Sequence, residues 1–409
     1  MISRRITAPV NEFARYLRTE TVGGIVLLVA TAIALLWANS PWSEAYLGMR
    51  DTVVGPAALH LDLTLAQWAT DGLLAIFFFV VGLELKRELV VGELSTVRQA
   101  LLPVAAALGG MVVPAVLALI VGGGAPGMDQ AWAIPVATDI AFALGVLALA
   151  GSALPVTARV FLLGLAVADD LGAIAVIAFV FSSGLNLLAI GAGLLGAALY
   201  WFLQRRRVRA WWIYVPLGVA VWVAIHEAGI HATIAGVLLG LLTRVKPDPD
   251  EEYAPALRLE HRIQPFSAGF CVPVFALFAA GVPVGADALR EVFSTPVPLA
   301  VMAGLLVGKI VGIMGFAWLA ILITPACRPR GLSWRDMAAV SMLGGVGFTV
   351  SLLIAELSLG DLPDVLDAAK AAVLIASAAA SLIGAAMLIR RGRVHSALDD
   401  DAAADTGAS

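Results

Sequence analysis

Asp169 and Asp170 are adjacent carboxylates in a stretch, from about Pro155 to Phe181, that is otherwise almost entirely apolar. An acid at the centre of a bilayer costs roughly 3 kcal/mol even on a lenient insertion scale, so a chain that keeps two there uses them. On a helix, neighbouring side chains point about 100° apart, because a turn holds 3.6 residues. The pair cannot lie in one plane around a shared proton. One carboxylate can instead face a counter-charge while the other faces a cavity. Deprotonated, both offer the hard oxygen ligands that a small cation takes. Protons and that cation then compete for the same oxygens, which is what exchanging one for the other requires.

Two more ionisable residues fall at mid-span depth, Asp139 and Lys309. Each would be expensive alone, so they should face one another, the aspartate pair or a water-filled cavity. Lys309 can pair with Asp169 or with Asp170; the spacing does not choose. The chain has four lysines against twenty-two arginines. A lysine here is chemically distinct, since a buried ammonium can give up its proton and a guanidinium cannot.

The segments around these residues are interrupted. Ala131 to Phe142 carries Pro135 followed by Thr138 and Asp139, and proline removes a helix hydrogen bond and opens the preceding backbone. Leu343-Gly344-Gly345-Val346-Gly347-Phe348-Thr349 breaks a second apolar run. Facing half-helix ends leave partial charges. Asp139 could neutralise the N-terminal ends and Lys309 the C-terminal ends, while Thr138 could satisfy opened backbone. Either residue could equally serve the transported ions.

Composition supplies the setting. Of 409 residues, 60% are hydrophobic and 14% charged, and repeated apolar runs of about 20 mark membrane spans. The expected class is an all-α polytopic membrane protein. Candidate spans run at about 22–38, 71–84, 100–122, 131–150, 156–181, 187–203, 211–226, 229–243, 266–284, 297–325, 336–357 and 366–389. With these twelve, arginines and lysines alternate as the positive-inside rule requires, putting both termini in the cytoplasm. Spans three to five and ten to twelve each hold one interrupted helix and enter from opposite sides. That is the pattern of inverted repeats whose broken helices, the fourth and eleventh, cross at mid-membrane.

Leu59 to Leu65, after Gly55-Pro56, alternates apolar and polar residues. It predicts a short external β-hairpin between the first two spans, resting on the bilayer or meeting a second subunit. Cys271 and Cys327 have no metal spacing and are expected to pack. The tail 395–409 is acidic and aperiodic, predicting a disordered cytoplasmic end to a membrane domain of 1–394. A net charge of −4 gives no basis for a nucleic-acid partner. No cofactor motif is present.

Several motifs resemble the NhaA family of bacterial Na+/H+ antiporters: Ala137 to Gly145, Asp169 to Ile174, Gly308-Lys309, Gly344 to Thr349, Phe77 to Leu89 and His231 to Val237. The similarity extends from about Phe13 to Arg391. This family is a standard example of inverted-repeat transporters, so the symmetry argument is not independent of the resemblance. The resemblance implies a core of about 100–181 and 297–390 and an interface region of about 22–84 and 187–284. It also implies a homodimer in the inner membrane and electrogenic exchange of cytoplasmic Na+ or Li+ for external protons, activated at alkaline pH.

Carried over by position, Asp169 and Asp170 resemble the pair that binds Na+ and protons, with Thr138, Asp139 and Lys309 beside them. Asp71 matches an acid near the external cavity, and Glu84, Glu88 and Glu260 match acids of a cytoplasmic funnel tied to pH response. His231 matches a histidine that influences pH dependence, although a helix–helix hydrogen bond would explain it as well. Leu257 and Gln264 stand where some members carry a lysine and a histidine, so the pH profile is the property expected to differ. A sodium-coupled symporter would need a substrate cavity with further polar donors, and none is evident. An intramembrane aspartyl protease needs acids on two helices, and its nearest signature, Ser358 to Asp361, falls in a loop. The expected function is transport rather than enzymatic catalysis.

Overall fold

Apolar segments in lipid must satisfy their own backbone groups, and a helix does so within one segment. The computed structural model, which describes residues 22–57, 60–182, 184–248, 251 and 253–407, is accordingly almost all helix. In chain order, α1 (Val22–Ala38) and α2 (Ser43–Arg50) precede the two-residue strands β1 (Val53–Val54) and β2 (Leu63–Thr64). Next come α3 (Leu65–Val90), α4 (Val97–Gly122), the single turn α5 (Met128–Ala131), α6 (Ile140–Ala150) and α7 (Val156–Val180). They are followed by α8 (Leu187–Arg205), α9 (Trp211–Glu227), α10 (Thr233–Leu242), α11 (Pro255–Ala279) and α12 (Ala286–Ser294). The chain closes with α13 (Pro296–Ile323), α14 (Trp334–Leu343), α15 (Phe348–Leu359) and α16 (Pro363–Gly407).

Among the described residues, eight helical stretches are long and apolar enough to cross a membrane, the stretch from Met128 to Ala150 counting as one. Two bent pairs, α1–α2 and α14–α15, pass the same test together, and α9 and α10 are shorter apolar helices. The architecture is therefore mostly helical and polytopic.

The chain packs as two compact units. One contains residues 22–24, Thr96–Asp170 and Leu289 onward; the other contains Ile25–Ser95 and Leu171–Ala288. In the first, Leu102, Leu144, Phe161, Leu162, Ile313, Met337 and Leu388 belong to one buried cluster joining α4, α6, α7, α13, α14 and α16. The α4–α13 contact is unusually close. A Cβ on Gly109 would run into the carbonyl oxygen of Gly312, and one on Gly312 into that of Gly109. Small residues allow such approach where water supplies no hydrophobic drive between helices. Lys309 lies one turn before Gly312, so this contact also sets where the lysine stands. The turn before it, Gly304–Gly308, is a π-helical widening of the kind often found at functional positions. At the start of α14, Ser333 and Asp336 form a capping box, and Arg391 Nε donates to Asp336 Oδ1 at 2.7 Å.

In the second unit, Tyr200, Val221, Ile225, Ala235 and Leu239 bind α8, α9 and α10 together. The strands pair antiparallel, Val53 with Thr64 and Val54 with Leu63. Trp68 Nε1 donates to Val54 O at 2.8 Å, tying α3 to β1.

Two findings differ from the sequence expectations, and a third was not anticipated by them. The helix α16 continues to Gly407, through most of the tail expected to lack structure; Ala397 and Ala402 to Ala404 are strong helix formers that extend it. Cys327 is exposed rather than packed, because it lies in the loop beyond α13. Lys370, four residues into the span predicted at 366–389, is buried and ion-paired with Glu356. Residues 58 and 59 of the predicted hairpin, and residues 408 and 409 of the tail, lie outside the described residues.

Candidate ion-binding site

Pro135 has no N–H to donate, and the helix stops there as one 3-10 turn, Ile134–Val136. Ala137 and Asp139 are extended, and α6 restarts at Ile140 with Asp139 as its N-cap. In the other interrupted segment, α14 ends at Leu343 and α15 begins at Phe348, with a 49° bend between them. The two breaks bond directly to each other. Thr138 Oγ1 donates to Gly344 O at 2.8 Å, and the Asp139 N–H donates to Val346 O at 2.6 Å.

Asp139, 3% exposed, serves two helix starts at once. Its Oδ1 accepts the Phe142 N–H at 3.0 Å, while Oδ2 accepts the Thr349 N–H at 3.2 Å and the Thr349 hydroxyl at 2.7 Å. Each helix N-terminus carries about half a positive charge, so one carboxylate balances the pair. The carbonyl ends receive donors in turn: Ser351 Oγ bonds Ile134 O at 2.7 Å, and Lys309 Nζ bonds Val136 O at 2.5 Å.

The rest of the lysine goes to Asp169. Nζ lies 3.1 Å from Oδ1 and 2.9 Å from Oδ2, so three contacts match its three N–H bonds. Of the two pairings the sequence leaves open, this is the one observed. Asp170, the next residue, is 4% exposed. Asp139 is held by the helix starts and Asp169 by Lys309, whose charge also acts on Asp170. Four of the five residues expected at the ion site are thus linked by hydrogen bonds, directly or across the paired breaks, and Asp170 adjoins Asp169 in sequence.

The other expected residues form two clusters in the second unit. Arg87 stands among three glutamates, with Nη1 at 2.9 Å from Glu260, Nε at 3.7 Å from Glu88 and Nη2 at 3.8 Å from Glu84. Glu88 and Glu260 are buried. Asp71 sits in a π-helical turn, Trp68–Leu73, and contacts His231 Nε2 at 3.2 Å and His226 Nδ1 at 3.8 Å. The other ring nitrogen of His231 bonds Thr233 Oγ1 at 2.7 Å, and His226 stacks on Trp222.

Sequence reasoning did not single out Arg87, His226, Thr349, Ser351 or Ser377. Arg87 lies at a span end, where an arginine is ordinary. His226, five residues from His231, was the signal that could have been read. A serine or threonine in an apolar helix costs too little to stand out.

Known proteins resemble this chain along most of its length. Residues 14–388 match the family model described as Na+/H+ antiporter 1. The chain is 63% identical over 395 residues to a Na+/H+ antiporter NhaA of Nocardia farcinica, covering 97% of this chain and 95% of that one. It is 65% identical over 382 residues to Na+/H+ antiporter NhaA 1 of Saccharopolyspora erythraea, covering 93% and 92%. A third relative, Na+/H+ antiporter NhaA 2 of Rhodococcus jostii, is 60% identical over 393 residues, with 96% of each covered.

Proposed function

This chain belongs to the NhaA family of Na+/H+ antiporters, and from that premise we propose that Asp169 and Asp170 are where Na+ and protons compete. The protein is a multi-pass membrane antiporter for these two ions. The observation carrying the site assignment is the division among its charges. Asp139 is committed to two helix starts, Lys309 to Asp169, and Asp170 is a buried carboxylate beside them.

A deprotonated Asp170 shares the Lys309 ammonium's field with Asp169, and a cation or a proton adds positive charge to the pair. A cation held by both carboxylates either shares the Asp169 oxygens with Lys309, each having a second lone pair, or takes the lysine's place there. At high internal pH both carboxylates deprotonate and take one cation, Na+ or Li+. The core of about 100–181 and 297–390 carries it across, and external protons replace it. Two carboxylates that surrender two protons for one cation move net charge, so the membrane potential drives the cycle.

Twelve crossings with both termini cytoplasmic are supported by the distribution of arginines and by two short apolar helices beside the longer ones and the bent pairs. In that orientation Arg87 and its three glutamates lie on the cytoplasmic side, where they tune the pH response. Asp71 and His231 lie on the external side. The strand pair is suited to contact with a second copy in a homodimer.

The test is fluorescence dequenching of a pH dye in everted vesicles on adding Na+, Li+ or K+. Wild-type protein responds to Na+ and Li+, and Asp170→Asn does not. A normal Na+ response in Asp170→Asn overturns the site assignment.

A further inference from the structure

The two helices that begin at the break are capped in different ways. The first, α6, is capped by its own Asp139. The second, α15, opens on Gly347, which has no side chain to offer, and a Cβ there would run into Ser351 Oγ. The first N–H groups of a helix have no partner within it, and a buried donor left unmade is costly. The caps of the Phe348 and Thr349 N–H groups therefore come from elsewhere. Thr349 N–H goes to the charged Asp139, and Phe348 N–H goes at 3.1 Å to the hydroxyl of Ser377 on α16. Ser377 is 3% exposed, and its own carbonyl accepts Ser381 Oγ at 2.7 Å. Toward its start, α16 grips α15 again through the buried Lys370–Glu356 pair.

We propose that Ser377 is a positioning residue for ion exchange, acting through the Phe348 N–H on Asp139. The inference rests on the site assignment above. With Ser377 present, α15 draws on Asp139 for one backbone N–H and one hydroxyl only. Without it, the Phe348 N–H loses its acceptor, and Asp139, which already accepts from the adjacent Thr349, is the carboxylate at that helix start. The unmet N–H pulls that carboxylate away from the start of α6 and leaves more positive charge at the break. A cation bound nearby is then disfavoured, so the loss appears in Na+ affinity rather than in turnover. The Phe142 and Phe348 rings, stacked at 5.8 Å across the two helix starts, couple the two ends mechanically.

Na+-driven exchange in everted vesicles, titrated with Na+ at one alkaline pH, separates these quantities. Ser377→Ala should raise the apparent KM for Na+ by about threefold, the size expected for one charge interaction at a helix end, with the maximal rate within about twofold. Ser377→Thr keeps the hydroxyl and should match wild type. If Ser377→Ala does not reach the membrane, Ser377→Cys replaces it, since a thiol is a weak acceptor and the KM should still rise. An unchanged KM in the hydroxyl-free variant, or an equal rise in Ser377→Thr, overturns the proposal. Asp170→Asn in the same vesicles separates the two levels. If it exchanges normally the site assignment fails; if it is inactive while Ser377→Ala behaves as wild type, only the role of Ser377 fails.

Discussion

Two clusters in this molecule follow the same charge arithmetic with different chemistry. In each, one cation stands among more carboxylates than it can neutralise: Lys309 with Asp169 and Asp170, and Arg87 with Glu84, Glu88 and Glu260. The lysine is fully buried, whereas the arginine side chain is 22% exposed. An ammonium is a compact point charge that can re-aim its N–H bonds or give up a proton. A guanidinium is a planar fork that keeps its charge at any pH the cell meets. The first cluster can therefore trade its partner for a cation or a proton, and the second can only be screened or rearranged. Under the proposed function, the type of cation is what assigns transport to the first cluster and pH response to the second.

Substitutions can break or sharpen this contrast. The largest effect is expected from Asp170→Asn, which should reduce Na+-dependent dequenching by at least about a hundredfold, since no second ligating charge remains. Lys309→Ala should come next. Removing one partner of a buried pair costs about 3–5 kcal/mol, so the melting temperature should fall clearly, and the double variant with Asp169→Asn should recover part of the loss. Arg87→Ala is expected to cost less, about 1–2 kcal/mol, because solvent reaches the side chain, and transport should persist with an altered pH profile. If Arg87→Ala abolishes transport with the fold intact, the contrast is wrong.

Smaller effects follow. Glutamine at Glu260 carries no charge at any pH and mimics the protonated acid, the form expected at low pH. The midpoint of activation should move to alkaline pH by roughly half a unit, with the maximal rate nearly unchanged. His226→Ala should have the smallest effect, within about 1 kcal/mol of stability and twofold in rate, because its contact with Asp71 is long and partly solvated. His231→Ala, which also breaks the bond to Thr233, should exceed it.

The parts of the site legible in the sequence are those that pay an energetic penalty for being there. Asp139, Asp169, Asp170 and Lys309 stand out because charge in an apolar run is expensive, and Pro135 and the glycines of 344–347 because they break helices. The pairing of Lys309 with Asp169 was not legible, since adjacent residues on a helix differ only by rotation. Ser377 and Ser351 were invisible for the opposite reason: a hydroxyl among alanines costs little and carries no period. Lys370 lies four residues into the span predicted at 366–389, and its burial was not legible from that position. Burial there depends on how α15 and α16 pack, and Glu356 is what makes it tolerable.

The central claim is that cation and protons compete at Asp169 and Asp170 and not at the arginine cluster. Adding NaCl to purified protein in weakly buffered detergent solution near pH 8, and recording proton release against a potassium chloride blank, tests it most directly. Wild type and Glu260→Gln should release protons on Na+ binding, and Asp170→Asn should release none. Release that survives in Asp170→Asn but disappears in Glu260→Gln would contradict the account.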